Sequence, residues 1–319
     1  MKFFDLFCGV GGFRLGMERN GHECIGSCEI EKYARQTYRK NFRFEPEFSD
    51  VRSINLNDLQ DFDILCGGFP CQAWSVSGER KGFQDERGDL FFQIVRIARE
   101  KQPTYLFLEN VKGLLSHDKG SSFREMLNTL NEVGYDVEWQ VIDSEYFLPQ
   151  HRERLFIIGH LRGKCTRKIF PLGFDIENNF KPSKLKMVKN SIDDSYRIYD
   201  PDGIARTLRA GIGGMGKMTG VYAMLTPDRV EKRQNGRRFK EDGEPAFTLN
   251  TQDRHGIFDG FRARKLTPVE CERIQGFPDN WTQGVSDSQR YAQMGNAVTV
   301  NVIEYISSHF EGVENVQSC

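Results

Sequence analysis

Apolar and polar positions follow two rhythms in the first half of the chain. Runs suited to buried strands occur at Phe3 to Phe7, Glu23 to Cys28, a short stretch ending near Asp50, Asp63 to Cys66, Tyr105 to Glu109, Val137 to Asp143 and Leu155 to His160. Between them, Leu90, Phe91, Ile94, Val95 and Ala98 recur at helical spacing within Asp89 to Lys101, and Phe123, Met126, Leu127, Leu130 and Val133 do so before Gly134. Strands alternating with amphipathic helices predict one doubly wound, mostly parallel α/β sheet of seven strands. Near residue 164 the rhythm breaks. The chain turns irregular, Gly-rich and basic, with Gly211-Ile212-Gly213-Gly214-Met215-Gly216 and Arg233 to Lys240 as its most distinctive stretches. Helical order returns at Thr267-Pro268-Val269-Glu270, a capping box with Pro in the first turn, and Gly276 closes that helix. Ser286 to Gln289 opens another, ending at Gly295.

Composition narrows the class. A chain of 319 residues with 38% hydrophobic and 28% charged residues can bury a real core and is neither collagen-like nor disordered. No apolar run approaches the roughly 18 residues of a membrane span, and Asp5 interrupts what a signal peptide would need, so the expectation is a cytoplasmic protein with no membrane partner. The eight cysteines form no Cys-x-x-Cys pair. No metal site is expected, and most of the thiols should be small buried hydrophobes.

Net charge is −1, but it is unevenly spread. Residues 164 to 264 hold 20 Lys+Arg against 13 Asp+Glu, a net +7, leaving 24 against 32, a net −8, for the rest. A basic insert in an acidic chain suits a surface that meets phosphates. It divides the chain into a body, residues 1–163 and 265–319, and an inserted domain, residues 164–264.

Two groups of residues carry candidate chemistry. Asp5-Leu6-Phe7-Cys8-Gly9-Val10-Gly11-Gly12-Phe13 places a Gly-rich turn after the first strand, Glu29 ends the second strand, and Asp50 ends the third. Carboxylates at neighbouring strand ends form the crevice where open α/β sheets bind nucleotides, Glu29 being placed to accept from ribose hydroxyls. Arg14 stands where the third glycine of the dinucleotide fingerprint would be, which favours an adenosine ligand without pyrophosphate over a nicotinamide cofactor. The second group is Cys71, in a tight loop after the Asp63 strand, Glu109 at the end of the Tyr105 strand, and the cations of Gln150-His151-Arg152-Glu153-Arg154. A thiol, a carboxyl and a guanidinium at adjacent strand edges suit nucleophilic catalysis with acid and electrostatic assistance.

Gly-Gly-Phe-Pro-Cys-Gln at 67 to 72, Glu-Asn-Val at 109 to 111, Gln-x-Arg-x-Arg at 150 to 154, Arg264-Lys265-Leu266-Thr267-Pro268 through Glu270, Arg273 and Gly276-Phe277-Pro278, and Gly295-Asn296-Ala297-Val298, together with the first Gly-rich motif, resemble the ordered motif set of DNA cytosine-5 methyltransferases. The likeness covers residues 1 to 160 and 262 to 310 and is strongest to the compact bacterial enzymes of restriction and modification. It implies a Rossmann-like seven-stranded methyltransferase sheet with a smaller, irregular β-rich target-recognition domain. It also implies S-adenosyl-L-methionine as cofactor and S-adenosyl-L-homocysteine as product, with no metal. Double-stranded DNA would be the partner of a monomeric bacterial or phage enzyme, and a cognate restriction endonuclease would act on the same site without forming a complex.

The resemblance implies roles residue by residue. Cys71 would be the nucleophile, Glu109 the proton donor and Arg154 the group on the base carbonyl, with Arg152 beside it. Phe7, Val10 and Gly12 would surround the methionine part of the cofactor, Glu29 its ribose, Asp50 its adenine amine, and Ile30 and Val51 the ring, with Pro70, Leu90, Asn296 and Val298 lining the remainder. Ile30 departs from the aromatic residue common there, which implies weaker stacking. Gln72, Ser75 and Ser77 would steady the flipped nucleotide, and Trp74 to Gly88 would be the closing loop. Thr207-Leu208 and Thr248-Leu249 both match the family's Thr-Leu target element, so the reading loops stay ambiguous. DNA affinity should fall steeply with salt through the basic insert. Trp139, Trp281 and most of the 25 Phe are expected in the core, and His151 as a phosphate or surface contact.

Three rival readings compete. An RNA methyltransferase on the same scaffold would carry a Cys-Phe-Thr signature, which does not occur. A catalytically silent DNA-binding relative is disfavoured by the intact Cys71, Glu109 and Arg154, and an oxidoreductase by Arg14.

Overall fold

The computed structural model describes residues 1–69, 89–174, 187–189, 198–199, 222–225, 240, 244–250, 255–258 and 263–311. Its centre is a six-stranded sheet built from β1 (Lys2–Leu6), β2 (Glu23–Cys28), β3 (Ile64–Gly68), β4 (Tyr105–Val111), β5 (Tyr135–Asp143) and β6 (Glu153–Leu161), in the order β2-β1-β3-β4-β6-β5. The pairings from β2 to β4 are parallel, and those of β6 with β4 and β5 are antiparallel. The stretch ending near Asp50 does not form the expected seventh strand. It touches the sheet through a single bridge, Cys28 to Phe48, and the chain then turns into a short 3-10 segment capped by Asp50. β5 and β6 are joined through residues 144 to 152 without the long crossover that a parallel pair needs, so they run antiparallel.

Side-chain alternation divides the strands between two faces. Phe4, Leu6, Leu65, Leu106, Leu108, Leu155 and Ile157 join one apolar cluster, covered by α3 (Asp89–Lys101) and α4 (Ser121–Glu132). Phe3, Ile64, Cys66, Tyr105, Phe107, Phe156 and Ile158 join the other. That face is covered by α1 (Gly12–Glu18) and α7 (Val300–Ser307), so the C-terminal part of the chain returns to the first strand. Both helices read from periodicity are present. The Thr267–Glu270 capping box forms at the start of α5 (Pro268–Ile274), and Ser286 accepts from Gln289 N at the start of α6 (Asp287–Asn296). α2 (Lys32–Phe42) follows β2.

The irregular segment contributes short strands that pair among themselves. β7 (Met187–Lys189) pairs with β8 (Ile198–Tyr199), and β9 (Tyr222–Leu225), β10 (His255–Phe258) and β11 (Ala263–Lys265) form a three-stranded antiparallel sheet. Ile169, Phe170 and Leu172 are buried in the second cluster of the body, held by hydrogen bonds from Ile169 N to Glu138 and Leu172 N to Gln140. Trp281 is buried as expected, but Trp139 is 46% exposed. It sits on the sheet-edge strand β5, its ring meeting Phe123 edge-on. No described helix is long and apolar enough to cross a membrane.

α1 and α7 approach closely because Gly16 has no side chain. A Cβ there would lie 2.8 Å from Ile303 Cβ and 2.9 Å from the Val300 carbonyl. Gly16→Leu is therefore expected to cost about 2–3 kcal/mol, the usual scale of overpacking. Urea denaturation followed by circular dichroism should show a lowered midpoint, and an unchanged midpoint would contradict this packing.

Candidate active site

The carboxyl ends of β1 to β4 meet at a cleft of about 550 Å³. The turn after β1 is shaped by positive φ at Phe7, Gly9 and Gly11, the conformation that favours glycine at the latter two. It brings Gly9 N to 2.7 Å from Glu29 Oε2, while Glu31 N lies 2.7 Å from Oε1. Both carboxylate oxygens are thus oriented before any ligand arrives. Burial raises the pKa of Glu29, and the N–H bonds from Glu31 and Gly9 pull it back toward the charged form.

Two arginines set the rest of this wall. Arg35 donates to the carbonyls of Glu29 and Phe48, joining the end of β2 to the loop that carries Asp50. Arg96 donates to the carbonyls of Val51 and Ile54 from beneath. Ile30 is a large apolar side chain left 68% exposed on the cleft wall, beside an oriented carboxylate. On the opposite side Val298 packs so closely that a Cβ on Gly12 would come within 2.7 Å of it, and Trp281 Nε1 donates to the Val10 carbonyl. This pairing of an oriented carboxylate with an exposed apolar wall fits an adenosine-sized ligand.

The second part of the cleft is cationic and acidic. Glu109 stands opposite Phe156 in the β4–β6 register, and Arg154 opposite Val111, so the two residues are diagonal neighbours on one face. Their side chains meet, Arg154 Nε lying 3.2 Å from Glu109 Oε1, both largely buried. Burial raises the pKa of Glu109, and the cations of Arg154 and Arg152 oppose that rise. Burial also lowers the pKa of Arg154, and Glu109 raises it. Gly68 pairs with Glu109 across β3 and β4, and a Cβ on Gly68 would lie 2.9 Å from Glu109 Oε2. Asn110 Nδ2 donates to the Phe69 carbonyl at 3.0 Å, pinning the chain at this edge two residues before Cys71.

Comparison with known proteins then decides the family. The model for the C-5 cytosine-specific DNA methylases matches residues 1–311. The chain belongs to that family. Among characterised members it is similar to the type II methyltransferase M.HhaI of Haemophilus parahaemolyticus, 36% identical over 96% of this chain and 93% of that protein. It is also similar to the orphan methyltransferase M.SPRI of Bacillus phage SPR, 33% identical over 96% of each. Among solved structures, a putative DNA modification methyltransferase encoded within a prophage of E. coli shares the fold, with TM-score 0.63, 24% identity and coverage of 97% of this chain and 98% of that one.

In this DNA methylase, the cofactor residues inferred from sequence that fall among the described residues all line the one cleft, namely Phe7, Val10, Gly12, Glu29, Ile30, Asp50, Val51, Leu90, Asn296 and Val298. Glu109, Arg152 and Arg154 line it too. Pro70, Cys71, Gln72, Ser75, Ser77, the rest of the 74–88 loop, Thr207 and Leu208 lie outside the described residues. Asp50 reaches the cleft from a loop rather than from a strand end, its carboxylate capping the 3-10 segment through Arg52 N.

Arg152 is not directed at Glu109 as Arg154 is. Its guanidinium donates to the main-chain carbonyls of Leu249, Ala297 and Gly295. Leu249 is 3% exposed in a cluster with Val10, Met294 and Ala297, and the Thr248 hydroxyl donates to the His151 carbonyl. His151 is half-exposed, with Nδ1 2.5 Å from Asp143 Oδ2, and Asp143 Oδ1 accepts from Glu145 N and Arg152 N. That convergence of Asp143, Glu145 and His151 was not anticipated from the sequence, nor were the bracing roles of Asn110, Gln150, Arg35 and Arg96. The main-chain groups they brace lie 6 and 13 residues away for Arg35 and 41 to 124 residues away for the others, and such separations follow no readable spacing.

Proposed function

We propose that the chain transfers a methyl group from S-adenosyl-L-methionine to carbon 5 of a cytosine flipped out of a specific duplex DNA site, through a covalent Cys71 adduct. The observation that carries this reading is the buried Glu109–Arg154 pair at the same cleft as the oriented Glu29 carboxylate, on the edge where the chain leads toward Cys71. Glu29, Ile30, Asp50 and Val51 would hold the adenosine part of the cofactor, with Phe7, Val10, Gly12, Asn296 and Val298 around its methionine part. When bound, the cofactor supplies an electrophilic sulfonium methyl group.

Cytosine carbon 5 is a poor nucleophile, and the chain's own residues change that. The Cys71 thiolate adds to carbon 6, forming a C–S bond and pushing electrons into the ring, while Glu109 donates its proton at ring nitrogen 3. Burial of Glu109 favours the protonated form that this step requires. Arg154 stabilises charge at the carbonyl oxygen on carbon 2. Carbon 5 is then nucleophilic and would take the methyl group as that group's bond to the sulfonium sulfur breaks, leaving S-adenosyl-L-homocysteine. A water removes the carbon-5 proton, the C–S bond breaks to release Cys71, and Glu109 recovers its proton. Carbon 6 is out of reach within stacked DNA, so the base must leave the duplex.

Residues 164–264, with their +7 charge, are proposed as the target-recognition domain of a body formed by 1–163 and 265–319. The methyl mark would protect DNA from a restriction enzyme cutting the same site. Bisulfite sequencing of plasmid DNA from cells expressing the protein should reveal one short methylated sequence, and unmodified cytosines throughout would refute the activity. At that sequence, a duplex carrying 5-fluorocytosine should yield a denaturant-stable protein–DNA adduct, because fluorine cannot leave as a proton does. Absence of the adduct, with methylation of the normal duplex intact, would count against the covalent route.

A further inference from the structure

Two segments about a hundred residues apart are stitched together beside the catalytic pair. Gln150 and Ala246 form an isolated parallel bridge, in which Ala246 N donates to the Pro149 carbonyl at 2.9 Å and His151 N to the Ala246 carbonyl at 3.0 Å. The main-chain groups of Leu249 go to side chains: its N–H donates to Gln150 Oε1 at 3.0 Å, and its carbonyl accepts from Arg152 Nη1 at 2.7 Å. Gln150 also donates from Nε2 to the Ile274 carbonyl, and Arg152 from Nη2 to the carbonyls of Ala297 at 2.9 Å and Gly295 at 3.2 Å. Both side chains are almost wholly buried.

We propose that Gln150 and Arg152 are positioning residues that clasp the end of the basic insert to the catalytic rim and couple its seating to the wall of the cofactor cleft. This rests on the reading of the chain as a DNA cytosine methyltransferase. Arg152 is a buried cation that donates from Nη1 and Nη2 to three neutral carbonyls, an arrangement that is costly to disturb because losing one acceptor leaves charge poorly compensated. The three carbonyls are therefore held as a set. One belongs to the segment that enters from the insert, and the other two flank Asn296, which lines the cofactor cleft. Two residues further along the chain, Arg154 meets Glu109. A shift of Leu249 when DNA engages the insert is felt at Asn296, and by linkage a ligand against Asn296 favours the seated position of Leu249.

The test is the affinity for S-adenosyl-L-homocysteine, measured by calorimetry with and without a short duplex carrying the mapped site. In the unaltered protein the duplex is expected to raise that affinity by about fivefold or more, the lower end of common coupling energies. Arg152→Gln should reduce the enhancement to below about twofold, whatever its effect on DNA-free affinity, and Arg152→Lys should restore part of it. Thr248→Val removes only the hydroxyl that bonds the His151 carbonyl and should fold normally, giving an intermediate enhancement. Thermal melting identifies any variant that fails to fold. A folded Arg152→Gln protein, or failing that Thr248→Val, with full enhancement would overturn the clasp. So would an unaltered protein that methylates the duplex yet shows no enhancement. A protein that neither binds nor methylates any duplex would instead overturn the functional reading beneath it.

Discussion

Cys71→Ser is expected to lower methyl transfer on the order of 10⁴-fold or more while leaving affinity for S-adenosyl-L-homocysteine within a few fold. A serine hydroxyl is essentially un-ionised at neutral pH, whereas a thiol is partly thiolate and strongly nucleophilic. Without addition at carbon 6, carbon 5 stays a poor nucleophile. The cleft proposed for the cofactor is lined by the turn after β1, the end of β2, Asp50 and Val51, and the 295–298 stretch, so little of that affinity should come from the thiol. Single-turnover transfer of labelled methyl to a target duplex, set beside calorimetric binding, separates the two effects. Turnover near that of the unaltered protein would remove Cys71 from the mechanism.

Glu109→Gln comes second, with an expected loss of about 10²- to 10⁴-fold in the chemical step, the usual contribution of a positioned acid. The amide can still hydrogen-bond the base, so DNA affinity should change little, but it cannot deliver a proton. Burial holds the pKa of Glu109 above that of an ordinary carboxyl, against the opposing pull of Arg154 and Arg152. In the proposed mechanism the protonated form is the donor, so the rate should fall as pH rises through that raised value. The limb should vanish in Glu109→Gln. Single-turnover rates across pH provide the measurement, and a glutamine variant that keeps both rate and limb would assign the proton to another group.

Many of the residues that line the cleft are legible in the sequence because they stand at the ends of strong local patterns. Glu29 and Glu109 follow short apolar runs, Arg154 begins another, and Thr267-Pro268-Val269-Glu270 is a capping signal complete within four residues. The stretch ending near Asp50 misled because its apolar residues satisfy a strand pattern, yet only Phe48 reaches the sheet. Trp139 misled for a related reason. Aromatic residues are usually buried, but an edge strand has one flank with no neighbouring strand, and nothing in the local sequence marks β5 as the edge.

The repeated Thr-Leu element shows a different limit. Thr207-Leu208 and Thr248-Leu249 were equivalent as text, and local sequence had no means to separate them. In the structure Leu249 is buried in the body and both of its main-chain groups are taken by Gln150 and Arg152. Those bonds span 97 and 99 residues of sequence, while Thr207-Leu208 lies outside the described residues.

Residue order by itself determined most of the strands and helices, the residues at their ends that line the cleft, and the uneven charge of +7 over residues 164–264 against −8 over the rest. These follow from residue identity and from periodicities of a few positions. Only the tertiary structure decided which strands are neighbours, that β6 runs antiparallel between β4 and β5 so that Glu109 and Arg154 meet diagonally, and that Arg152 is spent on carbonyls while its companion faces the acid. Strand order and register are settled by how whole faces bury against each other, and a buried guanidinium takes the acceptors that this packing leaves beside it.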